Sequence, residues 1–370
     1  MNTADIVRDG EILINPIDWT RLNKKYSKDE IKRYISDAIA EHCVPMPFRD
    51  HTLGEAIASF KDLECFVGSS IIRGGEYFSR YPYRYSFKDL YVDISTVGSI
   101  ASDYFHQESR WMCDSINSPS PYRTWTEEKF RLTLLNALWT LKFNQVTSKE
   151  LRSAISLRKY IAAQFRPSAA KAIYEMLGAR RVLDMSMGWG DRLAAFYAGS
   201  DTEMYFGTDP NSKLHAGYLA QQEAYQIKKP VFMFKDCAEN LDVPKGEFDV
   251  AFTSPPYFNI ERYTGTYGKD DKQSWNRYRK LDDWLEKFLF VVLEKSVAGL
   301  KSGGYLAMNI SDVYSNHTVN QMCDPMNDYL SKMGLVYEGA VGLRMAKRPN
   351  SKACGVGVFA EPIWIWRKRG

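Results

Sequence analysis

The amino-acid sequence predicts an α/β protein: a mostly parallel sheet with an antiparallel strand near the C-terminus, preceded by an N-terminal α+β region. Two observations carry this. From about Arg166 onward, short apolar runs alternate with amphipathic stretches, the strand-then-helix pattern that builds a parallel sheet with helices on its faces. Before about Phe165 the alternation is missing, and helix-like stretches mix with loops rich in Tyr, Pro and Gly. A third observation sets the size: 370 residues, 45% hydrophobic and 25% charged, supply a large core and lie far from the composition of disordered chains. The division expected is 1–160 as an N-terminal region and 161–370 as the α/β domain.

The start, MNTADIVRDGEILINPIDW, scatters acids where a secretory signal needs a basic end and an apolar run, and no later run reaches the roughly 18 to 20 apolar residues of a membrane span. A soluble, cytoplasmic protein is expected. Six cysteines stand far from the spacing of a zinc knuckle or redox pair, and the five histidines lie in unrelated contexts, so no metal is assigned. Helices are expected over Ser27 to His42 and Glu127 to Lys142. The alternation then reads as strand RRVLDM, helix DRLAAFYAG, strand EMYFGTDP, helix KLHAGYLAQQEAY, and strands VFMFKD and FDVAFTSPP. A long helix follows around Leu281 to Leu300, with KSGG as its glycine C-cap, and then strand YLAMNIS. LVYEGAVGLRM and EPIWIWRK close the chain as two strands without a helix between them, an antiparallel pair.

The candidate site lies where these strands end. After the strand ending in Asp184, Gly188 and Gly190 stand one residue apart in a turn leading into a helix, where backbone can approach a ligand and adopt positive φ. A dinucleotide fingerprint wants a third glycine at position 193, which is Leu. The next strand ends in Asp209, placed to accept hydrogen bonds from ribose hydroxyls, and the one after in Asp236-Cys237, where the acid could accept from an adenine amino group. Three strand-end aspartates beside a glycine turn indicate a nucleoside site. Strand FDVAFT then runs into Ser254-Pro255-Pro256-Tyr257. The prolines fix φ and remove two donors, which leaves a rigid row of acceptors for an amino group on a planar ring, with the Tyr257 ring to stack on it.

On these residues the chain from about Gln164 to its end resembles S-adenosylmethionine-dependent amino-methyltransferases that act on exocyclic amines of nucleic-acid bases. The glycine turn LDMSMGWGDR and the Ser-Pro-Pro-Tyr tetrapeptide carry the resemblance. Gln164-Phe165-Arg166-Pro167-Ser168 is similar to the segment that packs over the methionine end of the cofactor, and FAEPIWIWRK resembles a Glu-Pro strand found late in such enzymes, with no physical role evident. The resemblance implies a Rossmann-like methyltransferase sheet and S-adenosylmethionine as cofactor, held by Phe165, Ser168, Asp184, Gly188, Gly190, Asp209, Asp236 and Cys237. Ser254, Pro255, Pro256 and Tyr257 would be catalytic, with direct transfer to an amine whose hydrogens the loop accepts. Met185 and Ser186 depart from the Pro and Phe often found after the aspartate. No cysteine follows a proline, which counts against cytosine-C5 chemistry.

The implied substrate is DNA, methylated at N4 of cytosine or N6 of adenine after base flipping; Ser254 tilts toward cytosine. An RNA base methyltransferase, or a silent nucleic-acid-binding subunit, are the alternatives. The net charge of only +4 requires a local basic surface. Candidates are Arg262, Arg277 and Arg279 in the polar loop after the tetrapeptide, Arg344, Lys347 and Arg348 near the end, and the arginine-aromatic stretch from Arg73 to Tyr85.

Overall fold

The computed structural model describes residues 2–158, 161–263, 272–315, 317–346 and 355–370. The chain divides into two compact units. One comprises Met1–Asp50 and Gln107–Ala162 with a short piece beginning at Arg262; the other comprises His51–His106, Ala163–Glu261 and Lys269–Gly370. This division differs from a break at residue 160, because residues 51–106 belong with the sheet.

The first unit is mainly helical. Helix Lys28–Glu41 opens on a capping box, in which Ser27 caps the backbone N–H of Glu30 and the Glu30 carboxylate accepts from Ser27. Its Ile31 and Ile35 pack with Trp19, Trp125, Leu138, Leu151 and Ile155 in one core. In place of one helix from Glu127 to Lys142 there are two, Glu128–Leu135 and Ala137–Thr140. Asn136 stands at the break, its amide donating to the Thr133 carbonyl and competing with the helical ladder.

The second unit is built on a ten-stranded sheet: β1 Ile72–Gly74, β2 Tyr77–Phe78, β3 Phe87–Val92, β4 Arg181–Asp184, β5 Met204–Thr208, β6 Val231–Phe234, β7 Phe248–Thr253, β8 Leu300–Asn309, β9 Val336–Arg344 and β10 Val358–Arg367. The order across it is β1-β3-β9-β10-β8-β7-β4-β5-β6, with β2 beside β10. Strands β8, β7, β4, β5 and β6 are mutually parallel, and β10 is antiparallel to both β8 and β9. The mostly parallel α/β sheet with a late antiparallel strand is therefore present. Three strands from the first half extend it, since β3 pairs with β9 in parallel and leaves no edge there to solvent.

Each face of the sheet has its own layer. On one, Leu183, Ala251, Leu306, Met308, Trp364 and Trp366 pack against Trp284, Leu289, Leu293 and Met326 of the later helices. On the other, Phe252 meets Tyr174 of helix Pro167–Met176, and Tyr205 meets Phe196 of helix Asp191–Ala198. The KSGG stretch does not cap a helix. The helix ends at Gly299, where a Cβ would stand 2.8 Å from Val243, and β8 starts at Leu300. Lys301 to Gly304 form a bulge inside the strand, since β7 register passes from Phe248↔Leu300 to Val250↔Tyr305, and Gly303 has φ +76°. Among the described residues no helix is long and apolar enough to cross a membrane.

Candidate active site

The chain leaves β4 for β5 and β6 on one side and returns to β7 on the other. That reversal opens a crevice outside the carboxyl ends of β4 and β7, the place where open α/β sheets bind ligands. The glycine turn and the tetrapeptide are the two loops that border it.

The turn from Met185 to Gly190 needs its glycines for conformation. Gly188 has φ +58° and Gly190 has φ +72°. Gly190 also has no room for a side chain, because a Cβ would lie 2.6 Å from Gln221 Oε1 and 2.8 Å from His106 Nε2. Asp184 holds the turn from beneath. Its fully buried carboxylate accepts from Arg192 Nε at 2.8 Å, the Tyr205 hydroxyl at 2.7 Å and the Ser186 N–H at 3.1 Å. Burial disfavours the Arg192 charge, but Asp184 beside it outweighs this and holds its pKa above the usual value. With its oxygens engaged inside the fold, Asp184 stands as a scaffold for the turn and not as the ligand contact expected of it.

Asp209 occupies the crevice side of β5. One oxygen accepts from the Gly188 N–H and the other from the Asn211 N–H, each at 2.9 Å, and burial pushes its pKa up to about 6. Its peptide oxygen is held by His215 at 2.9 Å. Each carboxylate oxygen has a further lone pair with which to meet a hydroxyl. Asp236 is partly exposed and accepts from the Cys237 N–H at 2.7 Å, while the buried Cys237 thiol donates to the Lys272 carbonyl. Phe165 packs edge-on to Phe252 at 5.2 Å, and its N–H donates to Asp191. Ser168 is fully buried, with its hydroxyl on the Ser95 carbonyl, which places it in the scaffold. Asp191 and Gln164 were missed in the sequence. The Asp191 carboxylate gathers the Ser102 hydroxyl, the Gln164 amide and the Phe165 N–H, and so ties the segment before helix 167–176 to the glycine turn.

The tetrapeptide follows β7 directly. The Pro256 carbonyl accepts from Phe258 N–H and the Tyr257 carbonyl from Ile260 N–H, closing a turn in which Phe258 sits at φ +46°, a strained value for an aromatic residue. Tyr257 is partly exposed, and its hydroxyl donates to the Asn309 carbonyl at 3.3 Å. Two residues unassigned in the sequence join this loop. Asn309, the last residue of β8, lies 3.5 Å through Oδ1 from Ser254 Oγ and donates through Nδ2 to the Pro362 carbonyl. Glu361, in β10, hydrogen-bonds Tyr257 and Asn309, and burial pushes its pKa up to about 7. A polar residue closing a buried strand marks Asn309 in the sequence; Glu361 needs the strand order to be found.

The predicted basic residues are scattered. Arg277 pairs with Glu239 at 2.7 Å, Arg279 is exposed and bonds Asn276, and Arg344 pairs with Asp93 while its carbonyl accepts from Arg166. Arg262 is partly buried and falls in the first unit. Lys347 and Arg348 lie outside the described residues. The stretch Tyr77 to Phe87 lines a shallow pocket that includes Phe78, Arg80 and Tyr81, and Tyr83 bonds Ser311 just beyond Asn309. Among the described residues no cluster of His, Cys, Asp and Glu could hold a metal.

No protein-family model matches the chain, and no curated protein matches it. Solved structures similar to it include a tRNA (m1A58) methyltransferase from Aquifex aeolicus, 14% identical over 55% of this chain and 69% of that one, with a TM-score of 0.34. A second is the 1,6-didemethyltoxoflavin-N1-methyltransferase of Burkholderia thailandensis, 17% identical over 54% and 77%, with a TM-score of 0.36. A third is an rRNA methylase from Streptococcus thermophilus, 17% identical over 56% and 100%, with a TM-score of 0.34. Overlaps of this size transfer no activity or substrate to the chain.

Proposed function

We propose that the protein is an S-adenosylmethionine-dependent methyltransferase acting on the exocyclic amine of a base in DNA, N4 of cytosine or N6 of adenine. The observation that carries this is the adjacency of two loops at the reversal of strand order: a glycine turn with a strand-end carboxylate beside it, and a Ser-Pro-Pro-Tyr loop that offers acceptors. The turn fits the cofactor. A Cβ at Gly188 would meet nothing nearer than 3.9 Å, so its backbone is approachable, and Asp209 beside it has lone pairs for both ribose hydroxyls. Asp236 would take the adenine amine, and Phe165 the methionine end. When bound, S-adenosylmethionine supplies a methyl group on a positively charged sulfur, which the amine nitrogen takes up with loss of a proton.

The residues of this chain prepare that nitrogen. An aromatic amine is a weak nucleophile because its lone pair is shared with the ring. Accepting both amine hydrogens favours the pyramidal form that can attack. Since the Pro256 and Tyr257 carbonyls are used within the turn, the acceptors are the Ser254 side chain and the Pro255 carbonyl, with the Tyr257 ring against the base. A flipped base is implied, and the pocket from Phe78 to Tyr81, with exposed Arg80, suits the strand it leaves.

The test is methyl-labelled S-adenosylmethionine offered with duplex DNA, single-stranded DNA and total RNA, followed by digestion and identification of the labelled nucleoside. Label on N4-methylcytosine or N6-methyladenine in DNA, lost by about a hundredfold or more in Ser254→Ala, is the expected result. Label confined to RNA would move the substrate to RNA, and no label with no cofactor binding would sink the reading.

A further inference from the structure

Serine at position 254 poses a chemical problem that its neighbours solve. A hydroxyl is both donor and acceptor, and only its lone pairs are useful toward an amine. Its hydrogen must therefore be directed elsewhere. Asn309 Oδ1, 3.5 Å from Ser254 Oγ, is the acceptor in reach, and such contacts are often long until substrate is bound.

Which end of the Asn309 amide faces Ser254 is decided from behind. The Pro362 carbonyl, 3.2 Å from Nδ2, can only accept. Glu361 bonds the same amide and, when ionised, can also only accept. Two acceptors on one side force the NH2 group toward them and Oδ1 toward Ser254. Strand pairing fixes the arrangement: Asn309 of β8 is opposite Ile363 of β10, so Glu361, two residues on, lies on the same face of the sheet as Asn309.

We propose that Glu361 is a positioning residue for methyl transfer, which through Asn309 orients the Ser254 hydroxyl so that it accepts from the substrate amine. This rests on the reading of the Ser254 loop given above. The groups that face Glu361 are Tyr257 from that loop, Asn309 from β8, Glu261 further along the chain and Arg166 ahead of helix 167–176. Burial raises the Glu361 pKa to about 7, and the bonds from Tyr257 and Asn309 oppose that rise. A protonated Glu361 becomes a donor and frees the amide to turn over, so turnover falls as pH drops below about 7.

The experiment is a double-mutant cycle on the full-length protein, read by methyl transfer and by cofactor calorimetry. Glu361→Gln, which can donate to Asn309, lowers kcat about tenfold to a hundredfold, the usual size for a residue that orients a site group, with cofactor affinity unchanged. In the Ser254→Asn background, where the side chain brings its own carbonyl acceptor, Glu361→Gln costs little. An equal loss in both backgrounds, or none with Ser254 in place, overturns the proposal while leaving the methyltransferase reading intact. Should Ser254→Asn be inactive, the pH profile decides: the acidic fall in kcat disappears in Glu361→Gln if the proposal holds and persists if it fails. A wild-type protein that transfers no methyl overturns both.

Discussion

Two buried carboxylates on neighbouring strands show how environment separates residues that look alike in sequence. Asp184 is surrounded by Arg192, the Tyr205 hydroxyl and a backbone N–H, and serves the fold. Asp209 receives only two backbone N–H groups and sits where burial raises its pKa to about 6. The expected consequences differ. Arg192→Met leaves the Asp184 charge buried without its partner and lowers stability by about 3–5 kcal/mol, measurable by urea unfolding. Asp209 acts on binding: below pH 6 its carboxylate is progressively protonated, and cofactor affinity falls by about tenfold per pH unit. Calorimetry at pH 5 and pH 8 checks this, and a dissociation constant that does not change between them rules Asp209 out as the ribose acceptor.

Helix Asp191–Ala198 is positioned at both ends by groups distant in sequence. At its start, Gly190 lies against His106 and Gln221, and Asp191 collects Ser102, Gln164 and Phe165. At its end, the Lys229 ammonium caps the carbonyls of Phe196, Tyr197 and Gly199, where the helix dipole favours a cation. Lys229→Met is expected to cost about 1–2 kcal/mol without touching cofactor affinity, seen as a lower thermal midpoint and an unchanged binding isotherm. Gly190→Ala has the opposite signature. Its Cβ collides with His106 and Gln221 at a left-handed φ, so cofactor binding is lost well before the fold is.

At the level of the molecule, the sheet is completed by chain that precedes it. The Tyr77 hydroxyl donates to the Ala340 carbonyl, the Gly68 N–H to Glu175, and the Phe60 ring stacks on Tyr225 at 3.9 Å. A fragment of residues 161–370 therefore lacks β1 to β3 and helix Leu53–Cys65, and is expected to be unfolded by circular dichroism under conditions where the full chain is folded. Stability also carries a pH signature. Glu361 and Asp209 both have folded pKa values above their ordinary ones, so the folded state holds these protons more tightly. Their contribution is full below about pH 4 and is lost as pH rises through about 6 and about 7. Glu361→Gln removes one of the two, so the drop in thermal midpoint between pH 5 and pH 8 becomes smaller; an undiminished drop would exclude Glu361 as its source.

The sequence by itself determined the local chemistry: which runs are strands, that β4 ends in a glycine turn, that Asp209 and Asp236 close the next strands, and that Ser254 to Tyr257 present acceptors. These are legible because hydrophobic period, glycine and proline act over a few residues. Tertiary structure alone decided that Asp184 faces inward to Arg192, that KSGG is a bulge, and that residues 51–106 belong to the sheet. It also brought Asn309 and Glu361 to Ser254. The reason is that these depend on strand order: β10 inserts between β8 and β9, and no local pattern in EPIWIWRK records which strand it will lie against.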